Sequence, residues 1–289
     1  EPKKIKSNPL YVRHAKDLLQ ADLLDKRDLS CSNSGVKYFL VVEDVFTRYA
    51  FVRPLKTKTA ASVTKAMESI LDDDLSRTEY GGRVKTLSFD AGTEFVNATF
   101  LASLRRRGIE PHIPVFHAYH VERLQKTLQR IMHAYMTQNK TRRYAHKMDD
   151  IVRSYNNRPS RALGGMSPRE AEERDNAELV RQFASLSWHK TENRSGYGKP
   201  PKYEVGQLVR LVLSREDTPA GVFNRSYLPQ FSAENYVIKR VKTNLPRPLY
   251  YVAPVIAGDR MPTELLRPFY SEELRAVSGE ASDVGMRAM

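Results

Sequence analysis

The stretch YFLVVEDVFTRYAFVRPL, residues 38–55, decides the fold class. It holds two runs, 38–46 and 48–55, that are rich in β-branched and aromatic residues and nearly contiguous, which is typical of two strands joined as a hairpin. Upstream, LLQADLL at 18–24 is apolar around one acid, Asp22, and predicts a short buried strand. Three strands in succession predict a meander.

Downstream of the hairpin, helical and strand patterns alternate. Residues 58–71 place apolar side chains at helical spacing, and VKTLSFD at 84–90 predicts a strand that ends on Asp90. Strands followed by alternating helices and strands indicate a mixed α/β layer fold. The later part of this region predicts, in order, a helix from the N-cap Asn97 through Arg107, a short strand at 109–115, a long amphipathic helix at 117–138, a helix at 146–157 and a short acidic helix at 168–175.

The pattern changes near residue 187. SWHKTENRSGYGKPPK, residues 187–202, lacks periodicity and carries Gly and Pro, which predicts a linker. Short β-rich runs follow, QLVRLVL, NYVIKRV and PLYYVAPV, as in a small all-β domain. The predicted organisation is a basic segment at 1–17, an α/β core at 18–175, a linker at 176–201, a small β domain at 202–270 and a disordered tail at 271–289.

Positive charge is concentrated in one part of the chain. The 289 residues carry 47 Lys plus Arg against 34 Asp plus Glu, a net charge of +13. Residues 101–161 alone hold 13 Lys plus Arg and 4 Asp plus Glu. Such a concentration matches a protein that binds the phosphate backbone of nucleic acid, and a solvated basic face is the alternative.

Composition excludes two other classes of protein. No stretch approaches the roughly 18 consecutive apolar residues of a membrane helix, so we expect no membrane partner. Cys31 is the single cysteine, which excludes an internal disulfide and any zinc site built on two thiolates.

Three carboxylates stand out against their surroundings. Asp22 and Asp90 lie inside or at the end of apolar strands, where an uncompensated charge is unfavourable by several kcal/mol. With Glu122 near the start of the long helix they would form an all-oxygen site suited to Mg²⁺ or Mn²⁺. Two such ions about 3.5–4 Å apart can activate an attacking oxygen and stabilise a leaving one. The alternative is that these acids are cap or turn residues.

Five motifs occur in order between residues 18 and 171: LLQADLLD, YFLVVEDVFTRYAFVRPLKTKTA, LSFDAGTEF, HVERLQKTLQ and YNNRPSRALGGMSPREA. Together they resemble the catalytic core of retroviral-type integrases, a family shared by retroviruses, LTR retrotransposons and Maverick or Polinton DNA transposons. After this core come YEVGQLVRLVL, FNRSYLPQFSAENYVIKRV and PLYYV, which look like the SH3-type barrel that follows the core in some members.

The resemblance implies an RNase H-like core with Asp22, Asp90 and Glu122 as a catalytic and metal-binding triad holding two Mg²⁺ or Mn²⁺ ions. The implied enzyme is a polynucleotidyl transferase with endonuclease activity. It would process the 3′ ends of a mobile element and join them to target DNA. The implied partners are double-stranded DNA and further copies of the chain, as a dimer or tetramer. The implied location is the nucleus if the host is eukaryotic.

The predicted DNA contacts lie around Glu122, on the same helix. Exposed basic residues are also the ordinary surface of a helix, and Tyr119 could equally be a packed aromatic. The predicted contacts are Tyr119, Arg123, Lys126, Gln129 and Arg130.

The sequence also departs from the family pattern. The usual Asp-Asn-Gly turn is Asp90-Ala91-Gly92 here, and 31 residues separate Asp90 from Glu122, a little fewer than in retroviral members. The retroviral zinc module is not encoded, since one cysteine cannot supply it; it lies upstream of Glu1 or the protein works without it. A domesticated DNA-binding protein without catalysis and a nuclease without strand transfer are therefore the alternative functions.

Overall fold

A computed structural model describes residues 12–75, 83–114, 118–195, 200–212, 231–243, 245, 247–255, 264–265 and 267–277. The chain divides into two compact units. One spans Leu10–Lys190, and the other contains the described residues from Thr191 onward. Most of the predicted basic segment at 1–17, and residues 278–289 of the predicted tail, lie outside the described residues.

The first unit is built on a five-stranded mixed sheet in the order β3-β2-β1-β4-β5. β1, β2 and β3 are antiparallel neighbours, so the predicted meander is confirmed, whereas β4 runs parallel to β1 and β5 parallel to β4. The strands are β1 Leu18–Asp25, β2 Tyr38–Asp44, β3 Ala50–Leu55, β4 Thr86–Phe89 and β5 Glu110–His112.

Six helices accompany this sheet. The predicted N-cap is confirmed, because Asn97 Oδ1 accepts a hydrogen bond from the Phe100 N–H at 2.9 Å. The helix predicted at 58–71 is shorter than expected, since it ends at Ser69 and a π-helical turn covers Ile70–Asp74. The helices are α1 Ala60–Ser69, α2 Ala98–Arg106, α3 Tyr119–Gln138, α4 Met148–Asn156, α5 Pro168–Ala171 and α6 Ala177–Ser195.

The two faces of the sheet bury different sets of apolar residues because side chains alternate along each strand. Leu19, Leu40 and Leu87 pack with residues of α1 and α2. Leu24 and Val41 pack on the other face with residues of α3 and α4. Any β1 side chain in the same phase as Leu24 therefore points toward α3.

The outer edge of β3 is covered by side chains. Asn156 Oδ1 accepts from the Ala50 N–H at 2.9 Å, and its Nδ2 donates to the Ala50 carbonyl at 3.0 Å. Arg53 Nη1 donates to the Val52 carbonyl at 3.1 Å, and Pro54 has no N–H to offer. These groups block the addition of a further strand at this edge.

The second unit contains a four-stranded antiparallel sheet in the order β8-β7-β6-β9. Its core includes Val209, Ile238 and Val252, each fully buried. Part of the β-rich sequence predicted for this domain lies outside the described residues. The strands are β6 Leu208–Leu211, β7 Tyr236–Lys242, β8 Leu249–Pro254 and β9 Leu274–Ala276.

Two predicted segments differ from the structure. The segment at 176–201, predicted as a linker, is helical over Ala177–Ser195, because no Gly or Pro interrupts it before residue 196. The tail at 271–289 was expected to be disordered, but Ser271–Glu273 form a helical turn and β9 pairs with β6. Leu274 explains the second difference, since its side chain is buried in the core of this unit. None of the described helices is long and apolar enough to cross a membrane.

Candidate active site

Asp22 and Asp90 come together across β1 and β4. These strands are parallel, and Ala21 is paired with Phe89, so Asp22 is the next residue of β1 and Asp90 is the first residue after the end of β4. Residues that match across neighbouring strands point to the same face of a sheet. Asp22 is in the same phase as Leu24, so the two carboxylates lie on the face that α3 covers.

Helix α3 brings Glu122 to the same place. Glu122 lies in the first turn of α3, whose buried residues Val121, Leu124 and Leu128 pack on the sheet. One turn after Glu122, Gln125 Nε2 donates a hydrogen bond to Asp22 Oδ2 at 3.0 Å. Residues three apart on a helix are neighbours, so this bond holds the Glu122 turn next to Asp22.

The electrostatics of Asp22 reflect both other carboxylates. Burial raises the pKa of Asp22 from 3.8 to about 6. The Leu23 N–H, which donates to Asp22 Oδ1 at 2.7 Å, and the bond from Gln125 oppose that rise. The negative charges of Asp90 and Glu122 add to it. Asp90 and Glu122 are therefore each close enough to Asp22 to repel its charge, and a bound cation would relieve that repulsion.

The three acids fit a hard divalent cation by their chemistry, since all their donor atoms are carboxylate oxygens. The surroundings of Asp22 also favour a cation. Burial and the neighbouring carboxylates raise its pKa, and a bound cation would stabilise its ionised form. Among the described residues, however, no group of three or more His, Cys, Asp or Glu side chains already has a metal-binding arrangement.

Four of the five predicted DNA contacts share one exposed stripe of α3. At about 100° per residue, positions separated by 4, 7 and 11 residues lie on one side of a helix. Tyr119 is 63% exposed. The basic residues of the stripe, Arg123, Lys126 and Arg130, are exposed as well. We call these four residues the α3 stripe.

Gln129, the fifth predicted contact, lies beside the α3 stripe rather than on it. Its side chain is half-buried on the side of α3 that carries Glu122 and Gln125. Gln129 Oε1 accepts a hydrogen bond at 3.1 Å from the Nζ of Lys26, a residue that follows β1 directly. The structure thus gives Gln129 a partner within the protein.

Two glutamines near the triad were missed by the sequence analysis. Gln125 follows Glu122 by three residues, and that spacing could have identified it as a neighbour of the site. Gln20 lies two residues before Asp22 and accepts hydrogen bonds from the first turn of α3. A buried polar residue inside an apolar strand was the available signal for Gln20.

A second group of titratable residues lies on the same face of the sheet. Glu43 is 3% exposed, and burial raises its pKa to about 7, while the charges of Arg48 and Arg123 lower it. Arg48 Nη1 is in contact with His120 Nδ1. Burial, together with the charges of Arg48 and Arg123, lowers the pKa of His120 to about 3, so its imidazole is neutral at pH 7.

A cavity of about 600 Å³ lies elsewhere, between β3 and α4. Its lining includes Tyr49, Arg53 and Asn156 and contains no residue of the predicted triad or of the α3 stripe. This cavity therefore plays no part in the candidate site.

The comparisons with known proteins give one curated relative and a set of solved structures with a similar fold. No family model matches the chain. A Caenorhabditis elegans protein described as an uncharacterized transposon-derived protein is 30% identical over 214 residues, which are 73% of this chain and 65% of that protein. The chain thus spans slightly less than two thirds of that relative.

The fold is also found in a viral assembly. A chain in the cryoEM structure of the simian T-cell lymphotropic virus intasome, in complex with the PP2A regulatory subunit B56 gamma, superposes with a TM-score of 0.56. The match covers 97% of this chain and 86% of that one, at 12% sequence identity. The chain is therefore similar to a transposon-derived protein and shares its fold with a chain of a viral intasome.

Proposed function

We propose that this protein is a DNA integrase or transposase, a metal-dependent polynucleotidyl transferase that processes the 3′ ends of a mobile element and joins them to target DNA. The observation that carries the proposal is the closeness of Asp90 and Glu122 to Asp22, on the face of the sheet that α3 covers. The fold shared with a chain of a viral intasome supports it. We assign the first unit to the RNase H-like class and the second to the SH3-like class on the same basis.

The reaction consists of a hydrolysis followed by a transesterification. In the first step, water loses a proton and attacks a phosphodiester near the element's end, the P–O3′ bond breaks, and the released 3′ oxygen takes up a proton to become a free hydroxyl. In the second, that 3′ hydroxyl loses its proton and attacks a target phosphodiester. A new P–O bond forms, the target's own P–O3′ bond breaks, and the released target 3′ oxygen takes up a proton.

The residues of the chain have distinct parts in this proposal. Asp22, Asp90 and Glu122 would hold Mg²⁺ or Mn²⁺, which when bound supplies positive charge for the attacked phosphate and the two exchanging oxygens. Gln125 keeps the Asp22 carboxylate oriented through its 3.0 Å hydrogen bond.

The α3 stripe supports binding of the DNA substrate beside that site. Its three basic side chains would neutralise backbone phosphates, and the exposed ring of Tyr119 offers a surface on which a base can stack. Two element ends must be joined in one event, so we propose that the chain works as a dimer or tetramer on DNA. In a eukaryotic host the target would be chromosomal, and the protein would act in the nucleus.

The test combines cleavage and binding. Purified protein is incubated with supercoiled plasmid and a labelled duplex in Mn²⁺ or Mg²⁺. We expect nicked and joined products that Asp22→Asn, Asp90→Asn and Glu122→Gln each reduce at least about 100-fold, since even the partners of metal ligands contribute about 10–100-fold. These three variants should still bind DNA.

The α3 stripe is tested in the same preparation. Lys126→Ala and Arg130→Ala should each weaken duplex binding and reduce the salt dependence of the affinity by about one unit of slope. Lys65→Ala is the matched control, because Lys65 is exposed on α1, which packs on the opposite face of the sheet.

The alternatives give other outcomes. Salt-sensitive DNA binding with no metal-dependent product would identify a domesticated DNA-binding protein, an alternative that the altered Asp90-Ala91-Gly92 turn favours. Metal-dependent nicking without joined products would identify a nuclease. Products that persist in the triad variants would contradict the proposed site.

A further inference from the structure

The N-terminus of α3 lacks a cap of its own. The first N–H groups of any helix have no partner within the helix, and a Ser, Thr, Asp or Asn at the N-cap usually supplies one. Here the N-cap residue is Ala118, whose methyl side chain accepts no hydrogen bond. The turn that carries Glu122 therefore needs an acceptor from elsewhere in the chain.

Gln20 of β1 supplies that acceptor. Its Oε1 accepts hydrogen bonds from the His120 N–H at 2.9 Å and from the Val121 N–H at 3.3 Å. The Gln20 side chain is 5% exposed, so water does not replace these bonds easily. The negative end of the amide dipole also faces the positive end of the helix dipole.

The position of Gln20 connects this cap to the candidate site. Gln20 lies two residues before Asp22 on the same face of β1, and the N–H groups it binds lie just before Glu122. A second bond, from Gln125 to Asp22, joins the same strand and helix about one turn later. Glu122 lies between these two attachments.

We propose that Gln20 is a positioning residue that sets the separation of the Asp22 and Glu122 carboxylates by capping α3 from β1. The inference rests on the proposed function, because it concerns the metal-binding geometry of that site. Gln20 touches neither substrate nor metal in this proposal. Without its oxygen, the first turn of α3 loses two hydrogen bonds and Glu122 is no longer held at a fixed distance from Asp22.

Ser88 provides a matched control. It is paired with Gln20 across β1 and β4, so the two side chains lie next to each other on one face. Ser88 is 1% exposed, and its Oγ has no hydrogen-bond partner among the described residues. Removing this hydroxyl changes a buried side chain next to Gln20 without removing a hydrogen bond to α3.

The experiment compares Gln20→Met, Gln20→Glu and Ser88→Ala in the full chain. Methionine fills nearly the same volume without an acceptor oxygen, whereas glutamate retains an oxygen for both N–H groups. The readouts are amide hydrogen exchange of His120 and Val121, Mn²⁺ affinity by calorimetry, duplex affinity, and the rate of product formation.

We expect Gln20→Met to speed exchange at both amides and to weaken Mn²⁺ binding about 10-fold or more, the usual effect of losing a residue that orients a metal ligand. Duplex affinity should be unchanged. Gln20→Glu keeps an acceptor oxygen and should recover the Mn²⁺ affinity that Gln20→Met loses. Ser88→Ala should match wild type in all four measurements.

The outcomes separate this inference from the proposed function. If Gln20→Met unfolds at a lower temperature but binds Mn²⁺ as wild type does, the role is structural and the inference fails. Failure of Gln20→Glu to recover affinity also overturns it. A wild-type protein that binds Mn²⁺ in a Gln20-dependent way but makes no DNA product would keep the inference and refute the enzyme. A wild-type protein that binds no Mn²⁺ would contradict both.

Discussion

Several buried or half-buried acids lie outside the candidate triad. Burial raises the pKa of Asp44 to about 6 and that of Glu172 to about 7. Both carboxylates are hydrogen-bonded: Asp44 Oδ2 accepts from the Lys16 N–H at 2.8 Å, and Glu172 Oε1 accepts from Thr47 Oγ1 at 2.8 Å. In Glu43, by contrast, the Oε2 atom has no hydrogen-bond partner among the described residues. Glu43 is therefore the acid whose ionisation destabilises the fold most directly.

Substituting Glu43 by Gln should change how stability depends on pH. The pKa of Glu43 is about 7 in the folded protein against 4.5 for the ordinary group, so the folded state holds this proton more tightly. The contribution of Glu43 to the stability of wild type is therefore fully present below pH 4.5, and it is lost as pH rises through 7. One pKa unit corresponds to about 1.4 kcal/mol. The free energy of unfolding of Glu43→Gln should therefore rise relative to that of wild type by up to about 3 kcal/mol over this range.

Urea unfolding at pH 5 and pH 8 checks this prediction. Glu110→Gln, at an exposed position of β5, controls for the loss of one negative charge. If the free energies of unfolding of wild type and Glu43→Gln differ equally at the two pH values, the ionisation of Glu43 is not coupled to folding.

At the scale of single elements, the connection between α4 and α5 depends on two glycines and a cap. Gly164 and Gly165 have φ angles of +67° and +101°, which side chains rarely allow. The following helix begins with a capping box, since Ser167 Oγ accepts from the Glu170 N–H at 3.2 Å and Glu170 Oε2 accepts from the Ser167 N–H at 2.7 Å. The glycines allow the turn, and the capping box fixes the start of α5.

Gly164→Ala should be more destabilising than Gly165→Ala. A Cβ at residue 164 would lie 2.1 Å from Cζ of Phe183 on α6, whereas a Cβ at residue 165 meets nothing within 4 Å. Both changes introduce left-handed strain of about 1–2 kcal/mol, and only the first adds a clash with a ring. Thermal unfolding of the two variants checks the difference. Equal losses would mean that Phe183 moves aside without loss of stability.

At the scale of the whole molecule, the two units have separate hydrophobic cores. The three apolar clusters that include Leu19, Leu24 and Leu163 all belong to the unit Leu10–Lys190. A fourth cluster, around Val209 and Ile238, belongs to the other unit. A unit of this size that contains its own core is long enough to fold by itself.

A fragment of residues 10–190 should therefore unfold cooperatively, with a midpoint close to that of the first unit in the full chain. Urea unfolding followed by circular dichroism compares the two. Ile238→Ala in the full chain should lower only the transition of the second unit, by about 2–5 kcal/mol, because it removes a fully buried side chain from that core. A fragment that does not unfold cooperatively would contradict this prediction.

Much of the fold could be read from the sequence because its signals are local. An apolar run predicted β1, runs rich in β-branched and aromatic residues predicted β2 and β3, and helical spacing predicted α3. The cap at Asn97 acts over three residues. The candidate acids were also visible, since a charge such as Asp22 inside an apolar strand stands out in the sequence alone. Where the local signal was weak, as in α6 and β9, the prediction was wrong: helical continuity without breakers and the burial of Leu274 decided those segments.

Which of these residues meet depends on the folded chain. The parallel register of β1 and β4 brings Asp22 beside Asp90, and the packing of α3 on β1 lets Gln20 cap the N-terminus of α3. Such pairings join residues that are distant in the chain, and spacing along a single segment carries no information about them. Most of the elements and the candidate chemistry follow from local sequence, because they depend on neighbouring residues. The folded chain decided the geometry of the site, because that depends on register and packing between elements.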